Sequence, residues 1–207
     1  MAADLLRQST ATARARLVLL HGWGADAGDL MPLGQALAEA IATPLELVAL
    51  QAPELQTQGP GREWYGLFPA DWSAVPAAVE GLKERINNLG SAEIPLEATV
   101  LLGFSQGGAM AMAAGCDLPL AGLIACSAYP HPHWQAPVIR PPVLLLHGRY
   151  DDVVPHSAAL ALKNELSSSK QACDLFSFEN GHAIPVEAQA EMKKALKRWL
   201  DQTAQDA

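Results

Sequence analysis

The sequence predicts an α/β domain: an open, mostly parallel sheet with helices on both faces. Three observations carry this. Six short apolar runs recur along the chain. They are almost continuously apolar rather than alternating, the pattern of strands buried on both faces. Stripes of apolar residues at helical spacing separate them. The runs are RLVLLHGW (16–23), LELVALQAP (45–53), ATVLLGFS (98–105), GLIACSAY (122–129), PVLLLHGRYD (142–151) and CDLFSFENGH (173–182).

The intervening segments supply the helices. Asp29 is placed to cap a helix that carries Leu30, Leu33, Leu37 and Ile41 on one stripe. Val79, Leu82, Ile86 and Leu89 form a second stripe, with Pro76 near its start and Gly90 as its stop. AMAMAAG (109–115) follows the third strand as a further helix. Another runs from about Ser157 to Leu166. The last begins at Pro185 and spaces Met192, Leu196 and Trp199 along one face. Its KKALKR end places cations near the negative pole of the helix dipole, on a solvated face. The one long irregular segment is loop 54–75, and such loops in compact domains are often functional. Nothing marks a linker or a repeat, so residues 1–207 read as a single domain.

Composition narrows the function. Half of the 207 residues are apolar and 17% are charged, a globular balance. A formal net charge of -8 argues against nucleic acid or an anionic membrane as partner. No apolar stretch approaches the roughly 20 residues that span a bilayer, so no transmembrane segment is expected. The N-terminal apolar run is only LVLL, too short for a signal peptide. Cys116, Cys126 and Cys173 are too few for a disulfide framework and suit a reduced, cytoplasmic protein.

In a parallel sheet, sites form beyond the carboxyl ends of the strands. The strands here end on His21-Gly22-Trp23, Gly103-Phe104-Ser105, Asp151-Asp152 and His182. A serine, an acid and a histidine on separate strands are the set needed for nucleophilic acyl transfer. In G-x-S-x-G the serine occupies a strained strand-to-helix turn, and Gly103 and Gly107 lack the Cβ atoms that would collide there. A serine hydroxyl needs a base. Only His156 and His182 follow both Ser105 and the acids. His156 opens a helix, where it caps or faces solvent, whereas His182 lies in the loop NGHAIP, free to turn to the site. Asp151 and Asp152 point apart; one orients the histidine and the other caps the turn leading to Pro155. Asp117, Asp174 and Glu179 close no strand at the required end. For the oxyanion, Gln106 N–H supplies one donor and Trp23 N–H the second.

With these residues in hand, the chain resembles the acyl-protein thioesterase, lysophospholipase and carboxylesterase family of small α/β-hydrolases. LLHGWGAD (19–26), GFSQGGAMA (103–111), HGRYDDVVP (147–155) and GH (181–182) match in order and bracket the chain from about Arg16 to Leu200. The resemblance places the acid on Asp151, the nucleophile on Ser105 and the base on His182, with the Trp23 amide in the oxyanion hole. It also implies the α/β-hydrolase fold, no separate lid domain, no cofactor, and a small ester, thioester or lysophospholipid as substrate. The family includes dimers, so a homodimer is allowed. Family members usually carry leucine at the place of Trp23, so its indole is expected to shape the acyl site. GREWYGLF matches the family's aromatic loop only loosely.

Trp64, Tyr65 and Phe68, with Trp72, either line an acyl pocket or pack the loop on the sheet. His131-Pro-His133 is spaced poorly for one face of any element, and no metal site is expected. No Walker or G-x-G-x-x-G motif occurs, so nucleotide binding has no support. The sequence therefore predicts a serine hydrolase cleaving carboxylic esters, with thioester or lysophospholipid cleavage as the close alternative. A non-catalytic binding module on the same fold and cofactor-free haloperoxidase chemistry are the rivals from other classes.

Overall fold

The structure, a computed structural model, describes residues 5–9, 12–167 and 171–203. Residues 1–4, part of the stretch read above for a signal peptide, lie outside the described residues. All six apolar runs are strands: β2 (Ala15–Leu20), β3 (Leu45–Leu50), β6 (Thr99–Phe104), β7 (Gly122–Cys126), β8 (Val143–Gly148) and β9 (Cys173–Phe178). A seventh, β1 (Leu5–Gln8), pairs antiparallel with β3 at the sheet edge. Within the long loop, β4 (Glu54–Leu55) and β5 (Arg62–Glu63) form a separate two-stranded ribbon.

The large sheet has the order β1-β3-β2-β6-β7-β8-β9, and every pair beyond β1 is parallel. The chain therefore runs from β2 outward to β3, crosses back over β2 to β6, and continues outward the other way. Connections leave the carboxyl ends of β2 and β6 in opposite senses, and a crevice opens between them.

Alternate side chains of each strand enter two separate cores. Leu17, Leu19, Leu47, Val100 and Leu102 pack with residues of α1 (Met31–Ala38) and α5 (Val186–Thr203). Val18, Leu20, Val48 and Leu101 pack with α2 (Val75–Asn87), α3 (Gln106–Gly115) and α4 (Ser157–Leu166). This accounts for the unbroken apolar runs, since each buried leucine contributes about 1.5–3 kcal/mol and both faces are covered.

The helix signals hold less uniformly. α4 spans the residues expected. Asp29 does not cap α1: the cap is Leu30, without a side-chain bond, and Asp29 lies one residue too early, its N–H bound to Asp26 O. Pro32 in the first turn starts that helix instead. α2 ends at Asn87, ahead of Gly90. α5 continues to Thr203, so KKALKR is not its last turn. The lysines and arginine there serve the exposed face: Lys194 pairs with Glu191, and Arg198 with Asp174.

One buried ion pair ties the strand beginnings together. Arg16 Nε donates to the Glu46 carboxylate, and Arg16 Nη1 reaches Ile94 O and Thr99 Oγ1. Arg7 approaches the same carboxylate from β1 at 3.6 Å, with its side chain 47% exposed. Glu46→Ala leaves the Arg16 guanidinium buried without its counter-charge, and the expected loss is about 3–5 kcal/mol in urea unfolding. Arg7→Ala is expected to cost under about 1 kcal/mol in the same assay, because that pair is exposed.

Candidate active site

Ser105 sits between the last residue of β6 and the first of α3, at φ 54° and ψ −119°. The positive φ turns the chain sharply out of the strand. A Cβ at Gly107 would run into the carbonyls of Leu20 and His21, and one at Gly103 into that of Gly107. Only glycine allows the helix to start so close against β2. Ser105 N–H donates to Cys126 O at 2.9 Å, which fixes the turn to the neighbouring strand.

His182 and Asp151 arrive on two loops laced to each other. Arg149 N–H bonds Phe178 O and Tyr150 N–H bonds Asn180 O. His182 Nε2 lies 3.0 Å from Ser105 Oγ, and His182 Nδ1 lies 2.8 and 3.0 Å from the two Asp151 oxygens. A carboxylate only accepts, so Nδ1 carries the proton and Nε2 is left to accept from the serine hydroxyl. Phe104 packs on the imidazole at 4.8 Å.

Asp151 also closes its own turn, since Oδ1 accepts the N–H groups of Val153 (3.1 Å) and Val154 (2.8 Å). The expected division of labour between Asp151 and Asp152 is thus corrected. Asp151 does both jobs, and Asp152 is exposed. Burial by itself raises the Asp151 pKa, but bonds from Val154 N–H and His182 outweigh it and hold the carboxyl below its ordinary range. His156 neither caps α4 with its ring nor simply faces solvent: its Nε2 meets Ser177 Oγ at 2.7 Å. The three acids set aside above are all on surface pairs, Asp117 with Lys83, Asp174 with Arg198 and Glu179 with Arg149.

The Trp23 turn runs beside Ser105, close enough that a Cβ on Gly22 would stand 3.4 Å from Ser105 Cβ. Gln106 opens α3, so its N–H has no acceptor inside the helix. Its side chain spans to the long loop, a role with no counterpart in the sequence motif. Oε1 accepts Trp64 N–H at 3.0 Å, and Nε2 donates to Tyr65 O at 2.8 Å. A lone glutamine ahead of the small and apolar run GGAMAMAAG is the sequence signal for it. His21 is a second brace: Nδ1 donates to Gly22 O and Nε2 accepts Ala52 N–H.

A cavity of about 470 Å³ opens over Ser105 and His182. Trp23, Leu67 and Phe68 line it as one group and Val153, Val154, Pro155 and Ala158 as another, together with Tyr129. Of the three aromatic residues expected in an acyl pocket, only Phe68 faces this space. Trp64 and Tyr65 are each 2% exposed and turn to the opposite side of the loop. Trp64 Nε1 donates to His21 O, and the Tyr65 hydroxyl meets Tyr129 and His131. His131 is therefore a buried partner of Tyr65. No cluster of metal-binding side chains occurs among the described residues.

A serine on such an elbow, above the carboxyl ends of a parallel sheet and followed in the chain by acid and histidine, defines an α/β-hydrolase. The chain belongs to the phospholipase/carboxylesterase family, whose profile it matches over residues 5–200. The crystal structure of esterase PE8 is similar, with 30% identity over 95% of this chain and 97% of that one, at a TM-score of 0.85. Arabidopsis thaliana SOBER1 shares the fold at 24% identity, covering 91% of this chain and all 100% of its own, with a TM-score of 0.78. Zea mays acyl-protein thioesterase 2 does so at 21% identity over 95% and 98% of the two chains, with a TM-score of 0.72. The protein is a hydrolase of esters. No helix among the described residues is long and apolar enough to cross a membrane.

Burial drives the His131 pKa from its ordinary 6.5 down to about 4. The unfolded chain then binds a proton between those values that the folded chain refuses, so stability falls as pH drops from about 6.5 to about 4. His131 alone accounts for about 3 kcal/mol of that loss. His131→Gln, which keeps a partner for Tyr65, is expected to flatten this part of the profile in urea unfolding at a series of pH values.

Proposed function

We propose that the protein is a carboxylesterase in which Ser105, His182 and Asp151 act as a catalytic triad. The observation that carries this is the unbroken set of contacts from Ser105 Oγ to His182 Nε2 and from Nδ1 to Asp151. Ser105 Oγ attacks the ester carbonyl while His182 takes its proton, and Asp151 steadies the imidazolium that forms. The backbone N–H groups of Trp23 and Gln106 hold the oxyanion. Collapse of the tetrahedral adduct expels the alcohol with the proton from His182. Water, deprotonated by the same histidine, then releases the acid. No step calls for a cofactor.

The cavity favours an uncharged ester over a lysophospholipid, because among the described residues no lysine or arginine lines it to meet a phosphate. Residues 16–200 serve this one site as one domain. Three free thiols, two of them buried, suit a reducing cytoplasm.

Hydrolysis of p-nitrophenyl butyrate tests the reading. Ser105→Ala is expected to lower kcat at least about ten-thousandfold, and Asp151→Asn about a thousand- to ten-thousandfold with little change in KM. A Ser105→Ala protein that turns over the ester at the wild-type rate overturns it.

A further inference from the structure

Glu63 is a buried carboxylate that the hydrolytic steps do not use. It is 8% exposed and forms no ion pair among the described residues. Its Oε2 accepts the Trp23 indole N–H at 2.7 Å and the Leu67 backbone N–H at 3.3 Å. The first is a charge-assisted bond. Phe68 then packs edge-on against Trp23, with ring centroids 5.0 Å apart and planes at 78°. A single carboxylate thus holds all three residues of the cavity wall on the loop side.

Other lining residues are tied to Asp151 instead. Val153 and Val154 belong to the turn whose N–H groups bind Asp151, so they cannot recede without moving the acid. The wall that Glu63 holds through Trp23 is the one that can shift without moving Asp151. At about 30 Å³ for each water-sized group, 470 Å³ takes roughly 15 such groups. A lauroyl ester of a small alcohol, with about 16 non-hydrogen atoms, just fills it; a palmitoyl ester, with about 20, overfills it.

The geometry points to Glu63 and Trp23 as a latch that sets the longest acyl chain Ser105 accepts, with uncharged esters of short- to medium-chain acids as the substrate class. This rests on the hydrolytic reading above. The Trp23 backbone serves the oxyanion whatever its side chain, so the indole is free to act as a specificity element.

Vinyl esters from acetate to palmitate test the latch, with kcat/KM for palmitate over butyrate as the readout. A methylene that gains or loses its room changes kcat/KM by about ten- to two-hundredfold. The ratio is expected to rise at least about tenfold in Glu63→Ala and in Trp23→Leu. Glu63→Ala should add nothing further to Trp23→Leu, because both open the same wall. Glu63→Gln keeps an acceptor for the indole and should hold the ratio close to that of the wild type. An unchanged ratio in Trp23→Leu, with butyrate still cleaved, overturns the latch and leaves the hydrolytic reading intact; this variant decides the matter even if Glu63→Ala does not fold. No turnover of any ester by the wild type overturns the hydrolytic reading and the latch with it.

Discussion

The backbone of Ser105 is held in a conformation that costs about 1–3 kcal/mol, and the organisation around it follows from keeping it there. At φ 54° the serine cannot belong to the strand before it or the helix after it. It is pinned by its N–H bond to Cys126 O and by the bond from Ala109 N–H to its own carbonyl. The close seating of Gly107 on β2 leaves no alternative path for the chain. The gain is positional: the hydroxyl stands clear of the sheet, at the crevice where the connections from β2 and β6 part.

Three loops must then converge on one atom, and buried polar side chains accomplish it. His21 and Gln106 tie the first loop and the elbow to the segment around Trp64. Asp151 shapes the turn after β8 and orients His182 with the same carboxylate. Gly148 contributes by its lack of a side chain, since a Cβ there would collide with the carbonyls of Asn180 and Gly181, which carry the histidine loop. Each brace is a satisfied hydrogen bond in a water-poor setting, where an unpaired partner is costly. The site is therefore rigid for the same reason that it is polar.

Much of this was legible in the sequence because burial on two faces leaves a local trace. Each central strand needs apolar residues at every position, and the six runs display that without reference to their partners. The order of Ser105, Asp151 and His182 was legible because their residue types are uncommon at strand ends. β1 was not, since four residues at a sheet edge are too few to show a period. Asp29 resembled a cap, but capping depends on where the chain enters the helix. Trp64 and Tyr65 were indistinguishable from Phe68 by composition. Only the Gln106 amide and the His21 carbonyl, distant in sequence, decide that the first two turn inward. Glu63 escaped notice for the same reason: its partner lies 40 residues away.

Labelling with a fluorophosphonate probe, read by intact and peptide mass, tests the assembled nucleophile most directly. Phosphonylation requires an activated hydroxyl beside a working base and anion site. A single adduct on the Ser105 peptide, absent in Ser105→Ala, is the result predicted. A folded wild-type protein that takes no adduct, or takes it elsewhere, would contradict the account and favour a non-catalytic binding module on the same fold.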